Sequence, residues 1–369
     1  MWSDDKSIPR RSFVAGLLAA PFALRGGPVS ACSLAFVNNR QLAKIVVRSM
    51  DLPVALAERP KFVVLPRGMA RNSQTSVLPG VKAKIEGVGP DTMRWTSKHG
   101  SAVIVSFEGG ATDGLNEKGL SAHMLVLDES RLEGPDNRPV LPDTHWAQYV
   151  LDNFATVNEV VDAHRSGAFR LAAAWSTDLS YSKHLPTHLA VQDSSGDSAI
   201  IEYIEGKLVI HHGPGFRVMT NDPPYDQMIE LMKQYAPFGG TRPLPGGEAA
   251  EDRFLRLAAF SKYLPDPKNY TESVANALSL LRVAQVPFRD PARAPDKGFW
   301  GACQTNWVTA ADVTNNVYYV SSATAPSLFW LDLKDANLKP GAPLLSVELH
   351  DPKVGGNVVR YLKRWNGAG

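Results

Sequence analysis

Apolar and polar residues alternate along the first third of the chain, in runs rich in β-branched and aromatic side chains. These runs are CSLAFVN (32–38), AKIVVRSM (43–50), KFVVLP (61–66), DTMRWTS (91–97), SAVIVSFE (101–108) and LSAHMLVL (120–127). A period of two built from such residues predicts strands. Between 144 and 166 the period lengthens to that of a helix, with Thr156 and Glu159 in capping-box spacing ahead of Val160 and Val161. Strands resume in THLAVQD (187–193), SAIIEYI (198–204) and KLVIHH (207–212), joined by the turn signals DSSGDS and EGK.

From Pro224 to about Val286 three helical segments follow, the clearest being TESVANALSLL, where Val274, Leu278 and Leu281 share a face. The loop PFGGTRPLPGGEAA (237–250) interrupts them without periodicity and reads as either a surface loop or a lid. Strands close the chain in QTNWVTAAD (304–312), NVYYVSS (316–322) and LFWLDL (328–333). No stretch has the character of a linker, so residues 32–369 read as a single α+β domain. Strands in blocks on either side of a helical middle predict stacked sheets with helices outside.

The first 31 residues fall outside this pattern. Lys6, Arg10 and Arg11 precede the apolar run FVAGLLAAPFAL, and the small residues Val29 and Ala31 follow it, the three parts of an export signal. Arg10 and Arg11 in PRRSFV favour a twin-arginine (Tat) route, so residues 1–31 are expected to be removed and the mature protein to be periplasmic or secreted. The apolar run is shorter than the ~20 residues that span a bilayer, so no stable membrane insertion is expected after processing. Removal takes Lys6, Arg10, Arg11 and Arg25 with Asp4 and Asp5, which turns the 39 basic and 37 acidic residues of the whole chain into an even balance. A neutral mature chain offers no clustered basic surface for nucleic acid.

Cleavage after Ala31 would make Cys32 the first residue, and three readings of it stand side by side. VSAC also fits a lipobox, in which Cys32 is lipidated and anchors the protein. Cys303, the only other cysteine, could form a disulfide with Cys32 in an oxidising compartment. A terminal cysteine can instead act as a nucleophile with its own base, since an α-amine titrates near pKa ~8 and can accept the thiol proton. Arg48 and Asp51 in RSMDLP would return beside Cys32 if the first two strands form a hairpin. There Arg48 would favour the thiolate and Asp51 could hold the amine; in isolation the same pair reads as a surface ion pair. Asn221 ahead of Pro223 and Pro224 reads as a helix cap, Arg253 as a solvated helix residue, Asn116 and Gly119 as turn residues, and Cys303 as a small buried apolar residue.

Taken in order, the Cys after an export signal, RSMD, DGLNEKGLSAHML, VMTNDPPYD, EDRFLR and TNWVTAADVTNNVYYV resemble the choloylglycine hydrolase family, which holds penicillin V acylases and conjugated bile salt hydrolases. The resemblance spans 32 to about 333. It implies an amino-terminal nucleophile (Ntn) hydrolase fold, a four-layer αββα sandwich, and hydrolysis of a linear N-acyl amide through a thioester. It further implies Cys32 as nucleophile, Arg48 and Asp51 as supporting charges, Asn221 and the Val126 backbone N–H as oxyanion donors, and Arg253 as a second active-site arginine. A fixed donor of that kind is worth about 3–4 kcal/mol. Relatives are often tetramers, so a homo-oligomer is implied.

Two departures bear on the substrate. Leu52 and Pro53 follow Asp51 where relatives carry an aromatic, and Val126 lacks the polar side chain of many bile salt hydrolases. The extracytoplasmic address with the RSMD form resembles the Gram-negative branch, and the nearly neutral surface suits a penicillin V-like acyl amide, with bile salts and acyl homoserine lactones as alternatives. His211 and His212 are adjacent and on a strand point to opposite faces, no HExxH occurs, and no cofactor or metal is expected. From another class stands a lipid-anchored periplasmic binding protein using the same Cys32.

Overall fold

The structure is a computed structural model that describes residues 32–39, 42–53, 60–81, 85–86, 88–89, 92–106, 110–176, 185–235, 242–290, 292 and 303–367. The expected export signal and residues 237–241 of the interrupting loop lie outside the described residues.

Among the described residues, sixteen strands build two large sheets. In chain order they are β1 (Ser33–Asn39), β2 (Ala43–Pro53), β3 (Lys61–Leu65), β4 (Ser101–Ser106), β5 (Gly110–Asn116), β6 (Leu120–Val126), β7 (Thr187–Asp193), β8 (Ser198–Ile204), β9 (Lys207–His212), β10 (Val218–Met219), β11 (Cys303–Asp312), β12 (Val317–Ser322), β13 (Leu328–Asp332), β14 (Leu345–Glu348), β15 (Gly356–Asn357) and β16 (Lys363–Arg364). The first sheet runs β10-β1-β2-β11-β12-β13-β15 and the second β9-β8-β7-β6-β5-β4-β3-β14-β16. Helices α1 (Trp146–Asn153) and α2 (Val157–Arg165) pack on the second sheet, whereas α4 (Ala250–Phe260) and α5 (Tyr270–Leu281) pack on the first, with α3 (Tyr225–Tyr235) beside α4. The layers are therefore helix, sheet, sheet, helix.

The strand pattern explains the layering. In β3, Phe62 and Val64 join the core shared with the first sheet while Val63 and Leu65 join the core under α1 and α2. Ala102 and Ile104 of β4 alternate with Val103 in the same way. A strand whose two faces are both covered can be apolar throughout. Phe62 meets Tyr318 and Phe329 of the opposite sheet with ring centroids 5.8 and 5.5 Å apart, which locks the sheets face to face.

The helical stretch expected at 144–166 is two helices, broken where Phe154 turns extended. Thr156 caps α2 by accepting from Glu159 N–H at 3.2 Å. The Glu159 carboxylate reaches back one residue further than a capping box requires, to Ala155 N–H at 2.6 Å. Asn116 and Gly119 are turn residues, as their spacing suggests. Asn116 Oδ1 accepts from Lys118 and Leu120 N–H while its Nδ2 donates to the Leu151 and Phe154 carbonyls at the end of α1. Gly119 has φ +79°, and a Cβ there would stand 2.4 Å from Val313 O. Among the described residues of DTMRWTS (92–97) the strand is Arg94–Thr96, and it pairs with Ala70–Asn72 outside the two large sheets. On α5, Val274 and Leu281 are buried as expected, with Ala277 and Leu280 beside them, and Leu278 lies at the margin of the core.

Candidate active site

β1 and β2 form the expected hairpin, with Ser33 opposite Ser49 and Leu34 opposite Arg48. That register brings Cys32 to the level of Met50, and the thiol lies 3.8 Å from Met50 Sδ and 3.9 Å from Asp51 O. Cys32, Arg48, Asp51, Asn221 and Arg253 are all buried, with at most 2 % of their surface exposed. Burial at Arg48 and Asp51 excludes the surface ion pair, and at Arg253 it excludes the solvated helix residue.

Two faces of the hairpin present different groups. Arg48 extends from β2 toward the second sheet, where its Nη2 reaches Met50 Sδ at 3.5 Å and donates to Met124 O at 2.8 Å. Its guanidinium carbon stands 4.4 Å from the centre of the Trp307 ring, a cation–π contact in a dry setting. Asp51 accepts from Ser49 Oγ at 2.9 Å and from Thr305 Oγ1 at 2.6 Å. The Thr305 contact depends on a break in register between Thr305 and Trp307 where β11 pairs with β2; such bulges re-aim side chains beside functional sites.

Arg253 reaches the site from α4 and ties three elements together. Nη1 donates to Cys32 O at 2.6 Å and Ser33 Oγ at 2.5 Å, Nη2 to Asn221 Oδ1 at 3.1 Å, and Nε to Glu248 O at 2.9 Å. Asn221 in turn donates from Nδ2 to Val126 O at 2.7 Å. It follows β10 and does not cap α3, so the capping reading is overturned. Leu127 N–H donates to Pro186 O of the strand entering β7, and alternation along an antiparallel strand then turns the Val126 amide to the opposite edge. There the pairing of β6 with β5 ends at Asp113 and His123, and Arg48 and Asn221 take the carbonyls of Met124 and Val126. All six residues expected from the sequence thus belong to one connected network.

Charge is poised around the sulfur. Burial pushes the Cys32 thiol up, Arg48 pulls it down most strongly among the charges, Asp51 opposes that pull, and Arg253 adds to it. Burial also raises the Asp51 carboxyl to about 6, against the pull of Arg253, the Thr305 and Ser49 hydroxyls and Arg48. Cys303 is a free, buried thiol on β11 raised by burial, and Cys32 is free as well, so the disulfide alternative is overturned. Sequence reading passed over Ser33, Ser49, Met50, Thr305 and Trp307. Their one signal was polar or bulky residues inside apolar strands within motifs already quoted.

His211 and His212 point to opposite sides: His211 packs on Tyr225, and His212 bonds Asp197 at 2.8 Å. Among the described residues no group of three or more His, Cys, Asp or Glu side chains is placed to hold a metal ion, and no helix is long and apolar enough to cross a membrane.

A thiol at the head of a strand, two arginines, a buried carboxylate and a side-chain amide form a site suited to acyl transfer from nitrogen to sulfur. The model of the linear amide C–N hydrolases, choloylglycine hydrolase family, matches residues 32–355, beginning at that thiol. The chain belongs to this family and is a hydrolase of carbon–nitrogen bonds in linear amides, with the Ntn-hydrolase αββα fold. It is 38 % identical over 307 residues to a penicillin V acylase of Pectobacterium atrosepticum, covering 76 % of this chain and 80 % of that one. The structure of a penicillin V acylase from Agrobacterium tumefaciens superposes with a TM-score of 0.75 at 32 % identity, covering 91 % of this chain and 98 % of that one. A variant of conjugated bile acid hydrolase from Clostridium perfringens superposes with a TM-score of 0.69 at 17 % identity, covering 86 % and 96 %, and shares the fold.

Proposed function

We propose that the protein is a penicillin V acylase-type amidase that works through Cys32 once residues 1–31 have been removed. The observation that carries this reading is the Arg253 bridge from Cys32 O to Asn221, which ties the backbone of the thiol-bearing residue and an amide donor to one guanidinium. In the proposed reaction the freed Cys32 amine takes the thiol proton and the thiolate adds to the carbonyl carbon of the substrate amide. Asn221 Nδ2 and the Val126 N–H stabilise the resulting oxyanion. The C–N bond then breaks, the leaving nitrogen takes the proton from the amine, and a thioester remains on Cys32. Water, deprotonated by the same amine, releases the carboxylic acid and regenerates the thiol.

Arg48 supports the thiolate and Asp51 holds the ammonium that forms, while Arg253 keeps Cys32 and Asn221 aligned. Penicillin V is the first substrate of choice because the penicillin V acylases of Pectobacterium atrosepticum and Agrobacterium tumefaciens are 38 % and 32 % identical to this chain. The reading includes export by the Tat route, a periplasmic or secreted location and a homo-oligomeric, tetrameric state. The test is amine release by protein that starts at Cys32, and by its Cys32→Ser partner, from penicillin V, a glycine-conjugated bile acid and a long-chain acyl homoserine lactone. Turnover of penicillin V that disappears in the Ser variant is expected; turnover of another amide alone would move the substrate assignment. An intact mass carrying lipid on Cys32 would replace the enzyme by an anchored protein.

A further inference from the structure

Arg48 has no exposed surface, and a guanidinium in a dry layer must be compensated. Part of its compensation lies away from the nucleophile. Arg48 Nε stands 3.7 Å from Asp113 Oδ2, and Asp113, on β5, is fully buried itself. Two further groups hold that carboxylate. His123 Nδ1, on β6, donates to Oδ2 at 2.6 Å, and the Tyr318 hydroxyl, on β12 of the other sheet, donates to Oδ1. A carboxylate can only accept here, so Nδ1 of the His123 ring carries a hydrogen. The cluster therefore runs from the second sheet through Asp113 to Arg48 and on through Met50 Sδ to the Cys32 thiol.

We propose that Asp113, clamped by Tyr318 and His123, is a positioning residue for the reaction: it fixes the Arg48 guanidinium in the one place from which it supports the Cys32 thiolate. The inference rests on Cys32 being the nucleophile. Rigidity is the physical core of the argument. A long, flexible side chain supports an anion only if its charge is held at short range, and Arg48 is held by the ion pair with Asp113 on β5, the hydrogen bond to Met124 O on β6 and the face of the Trp307 ring on β11. Asp113 itself is held ionised: although burial opposes its charge, His123, Arg48 and Tyr318 keep it below the usual carboxylate range.

Positioning and simple charge balance predict opposite signs. If Arg48 stayed in place, removing the Asp113 charge would strip an anion from the neighbourhood and make the thiol more acidic. If Asp113 positions Arg48, losing it frees the guanidinium and makes the thiol less acidic. The experiment uses protein that starts at Cys32, in wild-type, Asp113→Asn and Tyr318→Phe forms. It follows thiolate ultraviolet absorbance against pH, each form referenced to its own Cys32→Ser partner. This reading needs no substrate, so it remains informative if penicillin V is not cleaved. Positioning predicts a titration midpoint higher by ~1 pH unit in Asp113→Asn, with kcat lower by ~10- to 100-fold on whichever amide is turned over and KM little changed. Tyr318→Phe, which keeps the carboxylate and loosens its clamp, should move both quantities the same way by less, and it decides the matter if Asp113→Asn fails to fold. A midpoint that falls or stays in place in the folded variants would overturn the proposal.

Discussion

At Asn221 the neighbours dictate which way the amide points. Arg253 can only donate and the Val126 carbonyl can only accept, so Oδ1 faces the guanidinium and Nδ2 the strand. Asn221→Asp keeps the acceptor for Arg253 and deletes the N–H, so kcat for amide hydrolysis should fall by ~10²- to 10³-fold with little change in KM, as steady-state kinetics would measure. Asp51 yields a stability prediction. Its carboxyl is raised to about 6 in the uncleaved chain, first by burial, so the folded state holds the proton more tightly than the unfolded state and ionisation costs stability. That cost is absent below the ordinary range near ~4, grows as pH rises to about 6 and is constant above. Asp51→Asn in the uncleaved chain should therefore gain ~2–3 kcal/mol near pH ~8 and nothing near pH ~4 in denaturant titrations. A loss near pH ~8 would mean that Arg253 makes the charge net favourable. Cleavage would place the Cys32 ammonium near Asp51 and reduce the gain, which ties the strain at this residue to maturation. Asn221 and Asp51 were nameable from their motifs, but their roles in the fold were not: a cap was equally legible for one and a surface pair for the other.

Among the elements, the hairpin of β1 and β2 and the helix α4 carry the site, and α2 stands apart from it on the far side of the second sheet. The contrast is testable. Thr156 caps α2 by accepting one N–H, and Thr156→Ala should cost ~1 kcal/mol in denaturant unfolding while kcat/KM stays unchanged. A loss of activity without a loss of stability would reveal a coupling across the second sheet that the layering does not provide. The period of hydrophobic residues announced these elements because it is a local property. The break at Phe154 was not announced, since it depends on Asn116 taking the Leu151 and Phe154 carbonyls from a distant turn.

For the molecule as a whole the decisive variable is where the chain begins. Cys32 O is bound by Arg253 and the thiol lies against Met50 and Asp51, so the site's groups are gathered in the uncleaved chain. In the proposed reaction, what cleavage adds is the base. Protein that keeps even one residue ahead of Cys32 should fold with the same circular dichroism yet release no detectable amine, because a peptide nitrogen cannot accept the thiol proton. Full turnover by the unprocessed protein would refute the terminal amine as base.

By itself the sequence determined most of the strands and helices and the order of motifs that pointed to the family, all readable from neighbours along the chain. Tertiary structure decided how the site is held. Thr305 meets Asp51 across 254 residues and Tyr318 meets Asp113 across 205. The first contact needs a bulge in β11 and the second needs two sheets stacked face to face. Neither contact leaves a periodic trace, because a buried hydroxyl in an apolar strand looks the same whether it bonds its own sheet or reaches across to another.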